Sequence, residues 1–252
     1  MKNLNKGIIN ELEVMAHERF PLSSKYSTYW IIENSMAPNP LWFTEILAND
    51  LDLKPGMKVL DMGCGKGISS IFLAKEFGVK VWANDLWIDP TDNWKRVIEA
   101  GVEDLVYPIK AEAHTLPFPE EFFDVIICVS SYEYFGTDEL YFPWYMSKLL
   151  KKNGQFAIVQ PGLVDDFDIV PSKLEDLWCA DMYTWHSSKW WYNHLNKTNL
   201  VDIIISEDVQ GSWKLWLDWE EMQNPDDSDV KLLKRDNGEY LTWIKLIAIK
   251  KE

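Results

Sequence analysis

The feature that most constrains the fold is a regular alternation of short apolar runs and longer helix-like stretches between residues 58 and 160. Helix-like stretches include ISSIFLAKEF, NWKRVIEAG and ELYFPWYMSKLLKKNG, and Gly154 is predicted to end the last of them. Strands that alternate with helices predict βαβ units, and therefore a mostly parallel sheet with both faces covered. The predicted strands are residues 58–62, 79–85, 105–111, 124–130 and 155–160.

The segment before this core, residues 1–55, predicts a helical cap. Its first helix would place four apolar side chains on one face: Ile8, Ile9, Leu12 and Met15. The sequence APNPLW follows, and its two prolines favour a turn and then the start of a helix, LWFTEILANDL. The sequence LKPG then predicts a stop before the first strand.

The segments after the first five strands predict a lid and a final pair of strands. Residues 161–199 are rich in aromatic side chains and too long for an ordinary connection, so they predict a lid or an inserted subdomain. Residues 200–252 contain two more strand-like runs, LVDIIISEDV and EYLTWIKLIAIKK. With 56–160 as the core, the 252 residues fit one α/β domain.

Charge and cysteine content limit the classes of partner. The formal net charge of −15 opposes a nucleic-acid partner, which needs a basic surface, and disfavours an anionic membrane. Cys64, Cys128 and Cys179 are too few for a disulfide framework and lack the CxxC spacing of a zinc site, so no metal is predicted. The sequence has neither a signal-peptide hydrophobic region nor a run long enough to span a membrane, which predicts a cytoplasmic protein.

The glycine-rich stretch KVLDMGCGKGISS, at 58–70, predicts a loop that approaches a ligand closely. Its glycines are Gly63, Gly65 and Gly67, and Ile68 stands where the dinucleotide fingerprint needs its third glycine. The loop also lacks the Gly-Lys-Ser/Thr of a phosphate-binding loop. Asp61, just ahead of it, would repel pyrophosphate but attract an ammonium or sulfonium group. A cationic, amino-acid-like ligand is therefore predicted.

Two later turns add a nucleoside to this ligand. Asp85, at the end of the second predicted strand, is placed to accept hydrogen bonds from ribose hydroxyls. The third strand leads into AEAHTLPF, a turn where a carboxylate or an amide can meet an adenine amino group. A ligand with a cationic amino-acid end, a ribose and a base is S-adenosylmethionine.

The motifs VLDMGCGKG, ANDL, AEAHTLPF, FDVIICVSSYEYFG and LLKKNGQFAI resemble, in this order and spacing, those of class I S-adenosylmethionine-dependent methyltransferases. The chain looks most similar to small-molecule enzymes of the ubiquinone/menaquinone and cyclopropane-fatty-acid-synthase-like type. The resemblance covers residues 36–160 well and the remainder loosely. It implies a Rossmann-like sheet of seven strands, the last antiparallel, with helices on both faces and the cofactor across the ends of strands one and two.

The resemblance also implies roles for particular residues. The methionine part would be held by Asp61 and by the backbone of Gly63, Cys64, Gly65 and Gly67. Asp85 would bind the ribose and Leu86 would pack on the adenine, whose edge would meet Glu112 and Ala113. The family often has Asp-Ala at those two positions, so Glu112 is one carbon longer. Val129 would pass close to the methionine chain.

The catalytic candidates are Glu133, Tyr134 and His186. Glu133 and Tyr134 follow the fourth strand, at the sheet edge where substrates lie in such folds. The matching pair in cyclopropane synthases is often Glu-His, so Tyr134 departs from that chemistry. His186 has an unperturbed pKa near neutrality, which suits a proton acceptor. The alternatives are that Glu133 is solvated and that His186 is a packed or capping residue.

A lid of aromatic side chains is the remaining hypothesis. Seven of the fourteen Trp lie between Trp178 and Trp219. Aromatic faces attract cations such as a sulfonium, although large rings also serve simply as core. The side chains expected to close over the site and exclude water are Tyr26, Tyr29, Trp30 and some of Trp185, Trp190 and Trp191.

These features predict methyl transfer to a small or medium-sized acceptor, with S-adenosylhomocysteine as the product. Two alternatives stay open: a non-catalytic protein that binds these nucleosides, and an NAD-dependent oxidoreductase, which Ile68 and Asp61 disfavour. The sequence SSYE follows strand four in place of an NPPY-type tetrapeptide, and this disfavours nucleic-acid and protein acceptors. The sequence does not indicate the acceptor atom or the oligomeric state.

Overall fold

The computed structural model describes residues 17–252, so the expected helix with Ile8 and Met15 lies outside the described residues. A seven-stranded sheet with the order β3-β2-β1-β4-β5-β7-β6 forms the centre of the molecule. Its strands are β1 (Lys58–Met62), β2 (Lys80–Asp85), β3 (Val106–Lys110), β4 (Phe123–Val129), β5 (Leu150–Leu163), β6 (Val201–Asp208) and β7 (Leu241–Lys250).

Helices cover both faces of the sheet. They are α1 (Thr28–Asn34), α2 (Pro40–Ala48), α3 (Ile68–Phe77), α4 (Pro90–Ala100), α5 (Ser147–Leu149), α6 (Ser188–Asn196), α7 (Ser212–Gln223) and α8 (Ser228–Asp236). Side chains of α2, α3, α7 and α8 share one buried cluster, whereas α6 contributes to a second cluster. A π-helix, Phe142–Met146, leads into α5, and its buried side chains belong to the second cluster.

Strand β5 shows how the sequence separates these two clusters. Phe156 and Ile158 belong to the cluster of α6, and Ala157 and Val159 belong to the cluster of α2 and α3. Successive side chains of a strand point to opposite faces, and a strand covered on both faces is apolar at every position. The continuous apolar run is therefore what a central strand of a doubly covered sheet requires.

The topology is the predicted one. Strands β1 to β5 pair in parallel, and β7 pairs antiparallel with both β5 and β6. The strand order reverses between β1 and β4, because β1 leads to β2 on one side and β4 lies on the other. In open sheets of this kind, ligands bind at the carboxyl ends of the strands beside such a reversal.

The prediction that Gly154 ends a helix is wrong. The helix ends at Leu149, and Gly154 lies within β5. Residues 151–154 form an irregularity there, since Leu150 pairs with Phe123 but the next pair along is Gln155 with Val125. Asn153 has a φ of 59°, so the local turn of the chain falls inside the strand and not at a helix end.

The C-terminal segment contains more than the two predicted strands, because helices α7 and α8 connect β6 to β7. Within residues 17–252, no helix is both long and apolar enough to cross a membrane.

Candidate active site

A cavity of about 390 Å³ opens at the carboxyl ends of β1, β2 and β4. Turns after β1, β2, β3 and β4 form its wall, and the N-terminal segment adds Met36 and Pro40. Most of the sequence-predicted residues are brought together here: Gly63, Cys64, Gly65, Asp85, Leu86, Glu112, Ala113, Val129 and Tyr134. Asp61 and Gly67 do not reach the surface of the cavity, although both belong to the segment that forms it.

The glycine loop is shaped by backbone conformations that favour glycine. Gly63 and Gly65 have φ values of 73° and 55°. A Cβ on Gly63 would lie 2.4 Å from Cβ of Ser131, which is closer than such atoms approach. Ser131 in turn donates from Oγ to the carbonyl of Met62 at 2.6 Å, joining the end of β1 to the turn after β4. The loop therefore needs glycine at 63 because two strand ends meet there.

Asp61 is buried at the end of β1, under the loop. Its Oδ2 accepts hydrogen bonds from the hydroxyls of Ser69 and Ser70, both at 2.6 Å. Its Oδ1 is buried and has no hydrogen-bond partner among the described residues. Burial raises the pKa of Asp61 to about 6, the two serines oppose this shift, and Asp85 adds to it. A carboxylate with one unpaired oxygen, buried beside a ligand cavity, fits the cationic end of a ligand.

Asp85, at the end of β2, organises the loops as well as lining the cavity. Its Oδ2 accepts the backbone N–H of Gly65 at 2.8 Å, and its Oδ1 accepts those of Trp87 and Ile88 at 2.8 and 3.0 Å. A carboxylate has about four acceptor positions, so these three bonds leave about one for a ligand hydroxyl. The role expected for Asp85 at a ribose is thus shared with a structural one. Leu86 is half-exposed beside it.

The turn after β3 supplies the third wall. Glu112 accepts the backbone N–H of His114 at 2.8 Å, and its other carboxylate oxygen lies 2.7 Å from Nδ1 of the His114 ring. This arrangement leaves the carboxylate at the cavity but bonded within its own turn. The carbonyl of Ala113 accepts the hydroxyl of Tyr141 at 3.1 Å, which fixes the turn against the π-helix side of the sheet.

The turn after β4 begins with Ser130, whose φ is 53°. Val129, at the end of the strand, and Tyr134 line the cavity. Glu133 does not line it: only 1% of this side chain is exposed, so the alternative of a solvated Glu133 is wrong. Its Oε2 has no partner among the described residues, and burial raises its pKa to about 8.

His186 is not brought to the cavity. Its Nδ1 lies 2.9 Å from Oδ1 of Asp166, and its ring stacks on Trp190 with centroids 3.8 Å apart. The hydroxyl of Ser187 also donates to Asp166, so this carboxylate fixes the start of α6. The expectation of a proton acceptor is corrected to the packed residue that was its alternative.

The predicted aromatic lid is not formed by the side chains named for it. None of Tyr29, Trp30, Trp185, Trp190 and Trp191 lines the cavity. Trp30 stacks near Tyr26, whose own ring packs on Phe72 of α3 and whose hydroxyl bonds Glu76. These contacts place Trp30 beside α3, whereas Asn34, the last residue of α1, lines the cavity.

Among the tryptophans of residues 161–199, Trp185 and Trp191 are core residues, and Trp178 and Trp190 pack partly buried against the core. Trp191 is fully buried 5.5 Å from the ring of Tyr132, and Trp185 packs edge-on against Trp216. The seven clustered tryptophans are divided between the two buried clusters: Trp190 and Trp191 belong with the cluster of α6, and the other five belong with the cluster of α2 and α3.

Several residues of the cavity were not identified from the sequence. Trp87 and Met36 line it, and Asn93 of α4 donates from Nδ2 to the carbonyl of Gly65 at 2.9 Å. Asn93 follows Asp85 by eight residues in a helix whose polar side chains otherwise indicate a solvated face, so no pattern distinguishes it. Trp87, two residues after Asp85, could have been found from its place in the same turn.

No group of three or more His, Cys, Asp or Glu side chains that could hold a metal ion occurs among residues 17–252. The cavity instead has acidic side chains at Asp85 and Glu112, a mainly apolar wall, and the buried Asp61 beneath the glycine loop. Its lining suits a cationic nucleoside.

Comparisons with known proteins agree with this geometry. Residues 59–154 match the family model described as a methyltransferase domain. Methyltransferase GfsG of Streptomyces halstedii is 33% identical over 127 residues, which are 49% of this chain and 45% of that protein. The chain spans about half the length of the curated relatives it matches.

Solved structures share the fold at low sequence identity. A putative sarcosine dimethylglycine methyltransferase from Galdieria sulphuraria superposes with a TM-score of 0.67 at 21% identity, covering 84% of this chain and 86% of that one. A phosphoethanolamine N-methyltransferase 2 of Haemonchus contortus, solved with phosphomonomethylethanolamine and S-adenosylhomocysteine, gives 0.70 at 17% identity, covering 88% and 56%.

Proposed function

We propose that the protein is a class I S-adenosylmethionine-dependent methyltransferase that transfers the methyl group of this cofactor to a small or medium-sized acceptor, because residues 59–154 match a methyltransferase domain and similar proteins are methyltransferases. The observation that carries this proposal is the meeting, in one cavity, of the glycine loop after β1, Asp85 after β2 and Glu112 after β3. These groups suit the three parts of the cofactor: the amino-acid end, the ribose and the base. A neighbour of the same fold was solved with the demethylated product, which supports this choice of ligand.

The residues present fit the cofactor. The unpaired Oδ1 of Asp61 would face the cationic methionine end across the loop of Gly63 and Gly65. Asp85 would use its remaining acceptor position for a ribose hydroxyl. Leu86 and Ala113 would border the base, and Val129 the methionine chain.

When bound, the cofactor supplies an electrophilic methyl group on a sulfonium. A lone pair of the acceptor forms the new bond to carbon while the carbon–sulfur bond breaks, and its electrons remain on sulfur. The chain contributes mainly by holding the two molecules in line, an effect on the order of 7–11 kcal/mol. No covalent bond to the protein is required, which agrees with the absence of a nucleophile motif in the sequence.

Glu133 and Tyr134 are the groups proposed to act at the acceptor. Tyr134 lines the cavity, and its hydroxyl can orient an acceptor by a hydrogen bond. Glu133 has a pKa of about 8, near the pH at which a proton acceptor is most effective, but it lies behind the cavity wall. It can therefore take the acceptor's proton only through Tyr134 or a small movement of the turn after β4.

Of the two alternatives, a nicotinamide-dependent oxidoreductase is the less favoured. Ile68 occupies the position of the third glycine, and Asp61 places a carboxyl group beside the loop where a pyrophosphate would lie. A protein that binds S-adenosylmethionine without turnover differs from the proposed enzyme only in its lack of product formation. Cofactor binding and product formation can be measured separately.

The proposed partner is a small-molecule acceptor and not a nucleic acid, because a net charge of −15 opposes a phosphate backbone. We place the protein in the cytoplasm on the sequence pattern alone. Similar proteins carry names that specify methylation at carbon, nitrogen and oxygen, so the acceptor atom is not transferred from them.

The direct test is formation of S-adenosylhomocysteine with a panel of small amines, phenols and thiols. Tyr134→Phe and Glu133→Gln are expected to lower turnover at least tenfold on the acceptor found, since proton-transfer and orienting groups contribute about this much or more. Tyr192→Phe, a change on the exposed side of α6, is the matched control. Full turnover in both site variants would contradict the proposed acceptor end.

A further inference from the structure

Two large aromatic side chains stand exposed at the mouth of the cavity. Trp87, in the turn after β2, is 70% exposed, and Tyr134, in the turn after β4, is 51% exposed. Both line the cavity, and their rings meet edge to face with centroids 6.4 Å apart. The pair therefore spans the mouth from the β2 side to the β4 side. Exposed aromatic faces at a cavity commonly mark a contact with a ligand.

Carboxyl groups lie near the Tyr134 side of this pair. Glu133 is adjacent in the chain, and its Oε2 is buried without a partner among the described residues. Asp181 belongs to a 3-10 turn, Ala180–Thr184, that contacts the 3-10 turn of Glu133 and Tyr134. Burial raises the pKa of Tyr134 to about 12, and Glu133, Asp181 and Asp229 add to this shift through their negative charge.

Positive side chains are nearly missing from the same place. Among the described residues, Lys66 is the one Lys or Arg that lines the cavity. Its Nζ donates to the carbonyl of Glu33 at 2.7 Å, on the N-terminal segment. An anionic group in front of Tyr134 would therefore meet acidic neighbours without a compensating cation, which disfavours a phosphate or carboxylate at this point of the acceptor.

We propose that the mouth formed by Trp87 and Tyr134 is a subsite for a cationic nitrogen, and that the acceptor of the proposed methyl transfer carries an ammonium or amine group there. The electron-rich faces of the two rings attract a cation within about 6 Å. The carboxylate of Asp181, in the turn that contacts Glu133 and Tyr134, supplies negative charge near them. The assignment of the acceptor end rests on the proposed function, but the preference for a cation rests on the rings and the charges alone.

A second source of positive charge is the sulfonium of the cofactor itself. The two sources differ in what remains after methyl transfer, because S-adenosylhomocysteine carries no sulfonium. A cation that binds to protein already saturated with S-adenosylhomocysteine binds outside the cofactor site. This condition separates the two in one titration.

The test is isothermal titration calorimetry of the protein saturated with S-adenosylhomocysteine. The probes are choline and its uncharged isostere dimethylbutanol, in which a carbon atom replaces the nitrogen. Choline is expected to bind about tenfold more tightly, the range of a cation–π contact that is partly desolvated. Equal or tighter binding of dimethylbutanol, or no binding of choline, would overturn the proposal.

Variants of Trp87 make the result specific to the ring. Trp87→Leu keeps an apolar side chain and is expected to abolish the preference for choline, whereas Trp87→Phe keeps an aromatic face and most of the preference. Trp94→Leu is the matched control, since Trp94 is also exposed but does not line the cavity. Because Trp87 is largely exposed, its replacement leaves no buried void, and unchanged thermal unfolding would verify this. An undiminished preference in Trp87→Leu would refute the assignment.

The proposed cofactor binding and the proposed cation subsite can be rejected independently of each other. If S-adenosylhomocysteine itself does not bind, the proposed function fails, and choline is then titrated into the protein alone. A preference for choline that Trp87→Leu removes would still support the subsite. Tight cofactor binding without any preference for choline would leave the methyl-transfer proposal intact and reject the subsite.

Discussion

Replacing the buried carboxyl of Glu133 by an amide should change how the stability of the protein depends on pH. Glu133 is 1% exposed, and burial raises its pKa from 4.5 to about 8, while its own backbone and Ser130 oppose the shift and Asp181 adds to it. Between those two values the folded protein binds one more proton than the unfolded chain. The stabilising contribution of the protonated carboxyl is thus fully present below pH 4.5 and is lost as the pH rises through about 8.

The size of the effect follows from proton linkage. Each pH unit within that window lowers the free energy of unfolding by about 1.4 kcal/mol for one group. Glu133→Gln cannot ionise, so its free energy of unfolding should rise relative to the natural protein by about 2 kcal/mol between about pH 6 and pH 7.5. Other buried acids, Asp61 among them, are present in both proteins and cancel in the difference.

Urea unfolding followed by tryptophan fluorescence measures this difference at several pH values. Glu120→Gln, at an exposed position, is the matched control and should track the natural protein throughout. A difference in free energy of unfolding between Glu133→Gln and the natural protein that stayed constant with pH would contradict the raised pKa of Glu133. The raised pKa would also be refuted if the natural protein gained stability relative to the variant as the pH rose.

Three further changes test other parts of the structure. Gly63→Ala would place a Cβ 2.4 Å from Cβ of Ser131 and should lower the free energy of unfolding by about 1–3 kcal/mol, measured by urea unfolding; an unchanged value would contradict the described loop. Affinity for S-adenosylmethionine should fall about tenfold per pH unit below about pH 6 as Asp61 takes up a proton, and Asp61→Asn should remove this dependence in calorimetry; an equally steep fall in the variant would exclude Asp61 as its cause. Glu45→Ala should lower the free energy of unfolding by about 3 kcal/mol, because the buried carboxylate of Glu45 accepts the backbone N–H and the hydroxyl of Ser23. If the variant unfolded at the same temperature as the natural protein, these hydrogen bonds would contribute little to stability.

The strands and helices around the cavity could be predicted from the sequence because each has a local signal. The run KVLDM became β1 with the predicted bounds, and ISSIFLAKEF became α3, since the glycines that precede and follow α3 mark its ends. The seven-stranded sheet with its antiparallel strand followed from the resemblance and is confirmed. Where signals compete, the prediction failed: Gly154 looks like a helix end but accommodates an irregularity in β5.

The remaining parts depend on contacts between distant segments, which a single sequence does not contain. Clustered tryptophans predict large apolar surfaces, but not whether Trp185 and Trp191 meet a ligand or the sheet. The partners of Asp85 are backbone N–H groups whose directions are set only once the loops after β1 and β2 have folded together. Trp87 is part of the cavity because the same turn faces Tyr134 across it.

The measurement closest to the central claim is a calorimetric titration of the purified protein with S-adenosylhomocysteine, repeated on Asp85→Ala. The structure predicts saturable one-to-one binding that the substitution weakens by tenfold or more, because Asp85 both lines the cavity and holds the N–H of Gly65. No heat of binding, or equal affinity in the two proteins, would contradict the assignment of this cavity to the cofactor.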